Sequence, residues 1–370
     1  MTDRNDRDSL ERPPSALLPS QAGDVRIGPI LTIPAVLIAR RVKPEAAFAR
    51  AGVDLKLFRN PDNRLSLEAV GRLLESCATL TGCEHFGLLV GERFDLNGLG
   101  PIGELMRNSA TVGDALRVLL RHLHLHDRGA APLLLRADAS STILGYSVLR
   151  HGVPGTSHIH DAAIAIAYRI LRALCGPSFE PVQVQFSYAA PRSAAMHGRL
   201  FRCRVVFDAD LSGIVFGDSA LARPIEGADP HLRGQLEKAI LDAEAEGPIT
   251  FGERVESALH QAVLSGDASA EAICRQFAIS ERTLRRRLAE EDRSLQDLVN
   301  QTRYELARQL LSSTNLSVSK IAAALQYADP NIFSRAFRNW AGSSPKQWRA
   351  LKCDGGMKIR AKSNPPENAT

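Results

Sequence analysis

The residues with the clearest chemistry lie near the C-terminal end. Arg282, Arg285 and Arg286 sit in the segment ERTLRRRLAEE, Glu281 to Glu291. Their spacing of i, i+3, i+4 puts all three on one helix face, while Leu284 and Leu288 share another face and can pack on a neighbour. A guanidinium can make a bidentate contact to a guanine edge, worth about 1–3 kcal/mol of discrimination. It can equally hold a phosphate, which gives affinity without sequence information. A second set follows in Asn331, Ile332 and Arg335. Asn can pair with adenine, and Ile can touch a thymine methyl.

These side chains need elements that aim them outward. Ser269–Phe277 reads as a short helix with Ala272, Ile273 and Phe277 on one side. Ala278-Ile279-Ser280 makes a turn, and Ser280 is a good N-cap for the arginine helix. Further on, Val318–Gln326 forms a scaffold helix that buries Ile321, Ala322 and Leu325, and Tyr327-Ala328 turns. Asp329 caps the next helix, and Pro330 takes its first position, where a missing N–H costs nothing. Phe333 and Phe337 form its core pair. A connecting helix covers Tyr304–Leu311. One such pair of helices fits any amphipathic bundle. Two in tandem, each capped and each with a polar or basic outer stripe, point to DNA.

Charge agrees. The chain has 370 residues, 44% hydrophobic and 24% charged, with 46 Lys/Arg against 41 Asp/Glu and a net charge of +5. From Asp267 onward there are 17 basic and 11 acidic residues, so the excess positive charge sits in the last part of the chain. A near-neutral body with a basic end suits a polyanion partner at that end. The apolar fraction excludes wholesale disorder. No apolar run approaches the roughly 20 residues of a bilayer span. The start, MTDRNDRDSLERPPS, is charged and unlike a secretory signal, so a cytoplasmic location is expected. Six scattered cysteines (77, 83, 175, 203, 274 and 353) form no C-x-x-C pair, so neither a zinc knuckle nor a disulfide framework is expected.

The body, about 30–232, mixes helices and strands. Leu65–Thr81 carries Leu67, Val70, Leu73, Leu74 and Cys77 at a helical period. Thr111–Leu125 does the same, with Thr111 and Asp114 spaced as an N-terminal capping pair. Ala162–Cys175 is a third helix, apolar on most faces, with Arg169 and Arg172 marking its outer side. Val182, Val184, Phe186 and Tyr188 alternate with polar residues as in a half-buried strand. Thr142–Leu149, Cys203–Phe207 and Gly213–Phe216 are further strands. A connecting helix from Leu232 ends before Gly247-Pro248, within a linker at 233–251. No strand pattern follows from about 253 to 351, and 1–24 and 354–370 read as disordered tails. The fold class is therefore α+β, a mixed body followed by an all-α domain at 252–351 with two helix-turn-helix units.

The segment Arg303 to Arg349 resembles the C-terminal signature of the AraC/XylS family of bacterial transcription regulators. The elements that carry it are Ile321-Ala322, Phe333-Ser334-Arg335-Ala336-Phe337 and Gly342-Ser343-Ser344-Pro345, and the segment from Ile279 to Leu288 fits too. The stretches from Ala51 to Phe94 and from Gly100 to His122 resemble the arabinose-binding-type sensor domain of one subgroup, over about 44–230. The resemblance implies a seven-helix DNA-binding domain whose two recognition helices enter successive major-groove segments, about 34 Å apart. It implies base contact by Arg282, Arg285, Arg286, Asn331, Ile332 and Arg335. It also implies promoter DNA, a small-molecule effector and RNA polymerase as partners, activation rather than repression, and a homodimer. A body that serves only for dimerisation or protein contact is the alternative. No cofactor, metal or enzymatic activity is expected. One departure stands out: the family usually has Gly where this chain has Gln326. If that position needs φ > 0, Gln costs on the order of 1 kcal/mol there.

Other candidates are weaker. His122, His124 and His126 would share a face on a strand and could bind a metal, but on a helix only His122 and His126 do. His158, His160 and Asp161 sit just before the third helix, where such residues are ordinary. Cys83-Glu84-His85 lacks a base and oxyanion donors around the thiol. Gly98-Leu99-Gly100-Pro101 and Gly103 do not spell a nucleotide loop. Alkyl-accepting repair chemistry on this kind of domain would need clustered thiolates, which the cysteine spacing does not offer.

Overall fold

The computed structural model describes residues 25–123, 126–127, 129–148, 153–246, 250–265, 268–277 and 279–353. The expected tails, His124 and Ala278 of the first turn lie outside them. The chain divides into two packed units, the first ending at Arg254 and the second beginning at Val255.

The first unit runs β1 (Val25–Arg26), α1 (Ile33–Ala39), α2 (Pro44–Ala51), β2 (Arg64–Leu65), α3 (Leu67–Thr81), α4 (Phe86–Glu92), α5 (Pro101–Arg107) and α6 (Val112–His122). It continues with β3 (Ala130–Arg136), β4 (Ser141–Val148), α7 (Thr156–Cys175), β5 (Gln183–Gln185), α8 (Ala195–Phe201), β6 (Arg204–Val206), β7 (Ser212–Gly217) and α9 (Pro230–Glu246). Five strands form one sheet in the order β3-β4-β7-β5-β6. All its neighbours are antiparallel except β5 and β6. β1 and β2 form a separate antiparallel pair.

The helices begin and end where local chemistry dictates. Ser66 caps α3 by accepting from the Ala69 amide, and Gly82 in the left-handed region (φ 62°) stops it. Leu67, Val70, Leu73, Leu74 and Cys77 are all buried, as their spacing predicts. Thr111 Oγ1 accepts from the Asp114 amide and donates to its carboxylate, so α6 starts on the expected cap. α4 lies close against α7 because Gly87 and Gly91 face it. A Cβ at Gly87 would sit 2.1 Å from the His158 carbonyl, and one at Gly91 2.5 Å from Ala165 Cβ.

Several expectations need correction. α7 begins at Thr156, so His158, His160 and Asp161 lie inside its first turns, and His160 and Asp161 are buried rather than capping in solvent. α6 ends at His122 and His126 lies beyond it, so the two share no helix face. Val182 is exposed, outside β5, while Val184 and Phe186 are fully buried. Arg169 is half-buried, with Nε donating to the Phe94 carbonyl at 3.1 Å. The β3 strand pairs with β4 from Ala130↔Val148 to Arg136↔Thr142. Its run of leucines does not alternate with polar residues, so the period-2 pattern gives no strand signal there.

The second unit is helical: α10 (Phe251–Ser265), α11 (Ala270–Phe277), α12 (Glu281–Ala289), α13 (Leu295–Ser313), α14 (Val318–Ala324), α15 (Pro330–Ala341) and α16 (Pro345–Cys353). Its core includes Ile273, Leu284, Leu288, Ile321, Leu325, Phe333 and Phe337, each at 0% exposure. α14 stops at Ala324, shorter than the expected scaffold helix, because Gln326 enters the left-handed region with φ 62°. No helix of the described residues is long and apolar enough to cross a membrane.

Candidate functional site

α12 is launched by Ser280, whose Oγ accepts the Thr283 amide at 3.2 Å. Leu284 and Leu288 are buried, and α12 packs on α11. The opposite stripe, Arg282, Arg285 and Arg286, is exposed, as expected. Arg287 is exposed beside it, a fourth guanidinium that the i, i+3, i+4 reading left out. Two of the stripe's arginines are held along the helix. Arg285 donates to Glu281 Oε1 through Nε at 3.0 Å and Nη2 at 2.5 Å. Arg286 Nη1 donates to Glu290 Oε1 at 3.1 Å. Such exposed i, i+4 pairs are worth about 0.3–0.5 kcal/mol, so a phosphate or base edge can displace them.

α15 repeats the design with different chemistry. Asp329 Oδ1 accepts the Asn331 amide at 2.7 Å, and Pro330 fills the first turn. Phe333 and Phe337 lie against each other along the inner face, their rings tilted at 57° with centroids 5.9 Å apart. Phe337 also meets Tyr304 at 5.8 Å and Trp348 at 6.0 Å, which ties α15 to α13 and α16. Asn331, Ile332 and Arg335 face outward. Gly342 at φ 71° ends α15, and Ser344 with Gln347 forms the capping pair that starts α16. Arg349 reaches back to the carbonyls of Leu311 at 3.1 Å and Leu316 at 2.6 Å, binding α16 to the end of α13.

The position where the family carries Gly does require positive φ, and Gln326 adopts it. Its carboxamide nitrogen donates to the carbonyls of Ala262 at 3.0 Å and Val263 at 2.7 Å. Both carbonyls lie in the last turn of α10.

The first unit holds two further features. His160 Nδ1 meets Ser212 Oγ at 2.5 Å, and Asp161 Oδ1 accepts from Tyr188 and lies 3.2 Å from His197 Nε2. This cluster is interior: burial holds His160 down to about 4 and pushes the Tyr188 hydroxyl up. Burial also raises the Cys83 thiol and lifts Cys77 to about 12, so neither is a ready thiolate. No group of three or more His, Cys, Asp or Glu among the described residues is arranged to hold a metal. The second feature is a cavity of about 110 Å³ between α3, α6, α7 and β4, lined mainly by apolar side chains together with His126, Asp127 and Tyr146. Its sequence trace was the helix Ala162–Cys175, apolar on more faces than packing against one sheet requires.

Two tandem helix-turn-helix units behind a mixed α/β unit define a DNA-binding transcription regulator with a sensor-type domain. The model of the arabinose-binding domain of AraC transcription regulator, N-term, matches residues 42–225, and a helix-turn-helix domain model matches 273–351. The HTH-type transcriptional regulator VirS of Mycobacterium tuberculosis is 31% identical over 300 residues, covering 81% of this chain and 87% of VirS. The ornithine utilization regulator of Pseudomonas aeruginosa is 27% identical over 83% of this chain and 91% of its own length. The crystal structure of transcriptional regulator CdpR from Pseudomonas aeruginosa aligns over 86% of this chain and 96% of CdpR, with 20% identity and a TM-score of 0.44. The chain belongs to the AraC/XylS family of transcription regulators, and as such it is a sequence-specific DNA-binding protein rather than an enzyme.

Proposed function

We propose that the second unit reads promoter DNA through Arg282, Arg285 and Arg286 of α12 and Asn331, Ile332 and Arg335 of α15. The first unit binds a small-molecule effector. Effector binding shifts the first unit between two states and changes dimer geometry or the freedom of the DNA-binding unit. The outcome is activation with RNA polymerase. The observation that carries this reading is the pairing, in both α12 and α15, of a fully buried apolar stripe with an exposed hydrogen-bonding stripe. The effector can move the balance only by its differential affinity for the two states.

The test uses the full chain. Binding to its own promoter fragment and to a shuffled fragment is compared at moderate salt, where phosphate contacts no longer mask specificity. Tighter binding to the promoter, with most of the difference lost in the Arg285→Ala/Arg286→Ala variant, supports the reading. Equal binding to both fragments, unchanged in the variant, overturns it.

A further inference from the structure

We propose that the cavity of the first unit takes an uncharged, mainly hydrocarbon molecule with at most one hydroxyl-type group, and not a sugar. The proposal rests on the reading of that unit as the effector-binding one.

The cavity, at about 110 Å³, is comparable to an engineered apolar cavity of roughly 150 Å³ that binds benzene. Its walls are side chains such as Val70 and Leu74 of α3, Leu144 of β4, and Ile159 and Ile166 of α7. Ala163 and Ala167 of α7 also line it, and their small size leaves the space open.

The polar lining is three neighbouring side chains, His126, Asp127 and Tyr146, and each already has a partner within the protein. Tyr146 Oη donates to Asp127 Oδ2 at 2.6 Å, and Asp127 Oδ1 accepts the Gly129 amide at 2.9 Å. His126 Nδ1 lies 3.4 Å from Arg26 Nη1. A sugar carries a hydroxyl on nearly every carbon. Each one buried without a partner costs about tenfold in affinity, and this cavity offers almost none. A carboxylate fares badly for another reason. Asp127 lines the cavity, and the nearby cation Arg26 is already neutralised by Asp62, through Nε at 3.0 Å and Nη2 at 2.5 Å. A single hydroxyl is accommodated, because Tyr146 Oη, having donated to Asp127, keeps an acceptor lone pair.

The experiment measures thermal unfolding and titration calorimetry of the full chain with three probes: 1-octanol, octanoate and L-arabinose. The expected result is a rise of about 4 °C or more at saturating 1-octanol, binding of octanoate at least about tenfold weaker, and no response to arabinose. Ala163→Leu and Ala167→Leu, which fill the cavity, should abolish the octanol response while unfolding near the wild-type temperature. Should they fold poorly, the ranking of the three probes on the wild-type chain still decides. A response to arabinose without one to 1-octanol overturns the proposal, as does an octanol response that survives in folded cavity-filled variants. Promoter affinity measured with and without 1-octanol separates this from the sensor reading. Octanol binding in the cavity with unchanged DNA affinity keeps the ligand class and sinks the sensor reading. A DNA response to arabinose with no octanol binding does the reverse.

Discussion

The carboxamide of Gln326 donates to the carbonyl of Val263 at 2.7 Å, bridging the turn of the second helix-turn-helix unit to the end of α10. A second bond from the same nitrogen reaches Ala262 at 3.0 Å. A residue that looks like a liability on backbone grounds thus acts as a strap. Its φ of 62° costs on the order of 1 kcal/mol relative to Gly. Each bond returns about 0.5–1.5 kcal/mol.

The two contributions can be separated by substitution. Gln326→Ala keeps the backbone penalty and loses both bonds, so the second unit should lose about 1–3 kcal/mol. Gln326→Gly loses the bonds but relieves the backbone, so it should lose about 1 kcal/mol less than the Ala variant, about 0–2 kcal/mol relative to wild type. Thermal or denaturant unfolding of the three proteins, following the second unit's transition, gives the order. An Ala variant as stable as wild type would refute the strap, and one as stable as the Gly variant would refute the backbone penalty.

Electrostatics on α12 gives an independent prediction. Glu281 and Glu290 hold Arg285 and Arg286 along the helix and place two negative charges beside the arginine stripe. Glu281→Gln with Glu290→Gln should tighten binding to nonspecific duplex and steepen its dependence on salt. Arg285→Ala should flatten the salt slope by about 0.9 if that side chain sits on a phosphate. It should leave the slope nearly unchanged, and relax specificity at one base pair, if it reads a base edge. Anisotropy titrations from low to moderate salt distinguish the two roles.

Burial of His160 makes the first unit sensitive to mild acid. Its imidazole falls from 6.5 to about 4, mainly because burial disfavours the charged form, with Asp161 opposing the shift. The unfolded chain therefore takes up a proton as the pH falls below 6.5 while the folded chain stays neutral. Stability is fully present above 6.5, is lost as the pH falls toward 4, and levels off below that. Between pH 7 and pH 5 this one group should cost about 2 kcal/mol. His160→Gln should remove that increment, so the drop in unfolding midpoint between the two pH values should be smaller than in wild type. An equal drop in both proteins would refute the assignment.

What the sequence made legible follows from how local each signal is. Ser280, Asp329 and Thr111 cap helices through bonds spanning two or three residues, so they could be read directly. The alternation of apolar and polar faces in α12 and α15 needs only the helical period. The α7 start was misplaced because His158, His160 and Asp161 look like surface residues. The burial of His160 and Asp161 depends on Ser212, Tyr188 and His197, which are distant in sequence. The cavity's walls come from α3, α6, β4 and α7, so only its α7 side left a trace in the sequence, as a helix apolar on most faces. Gln326 was visible as a departure from pattern, but its partners lie over 60 residues upstream.

Adjacent residues on α15 should behave as opposites. Ile332 is 46% exposed, whereas Phe333 is fully buried against Tyr327 and Phe337. Phe333→Ala should cost about 3–5 kcal/mol and weaken binding to every DNA sequence together, because the helix loses its seat. Ile332→Ala removes a side chain that packs on little, so stability should change by less than about 0.5 kcal/mol. If Ile332 touches a thymine methyl, its loss should cost about 1 kcal/mol at one base pair of the promoter and nothing on shuffled DNA. Replacing that thymine by uracil, which lacks the methyl, should then weaken the wild-type chain and leave Ile332→Ala unaffected. A variant that still distinguishes the two bases would mean that Ile332 is exposed for another reason, and that Asn331 and Arg335 carry the readout of this helix.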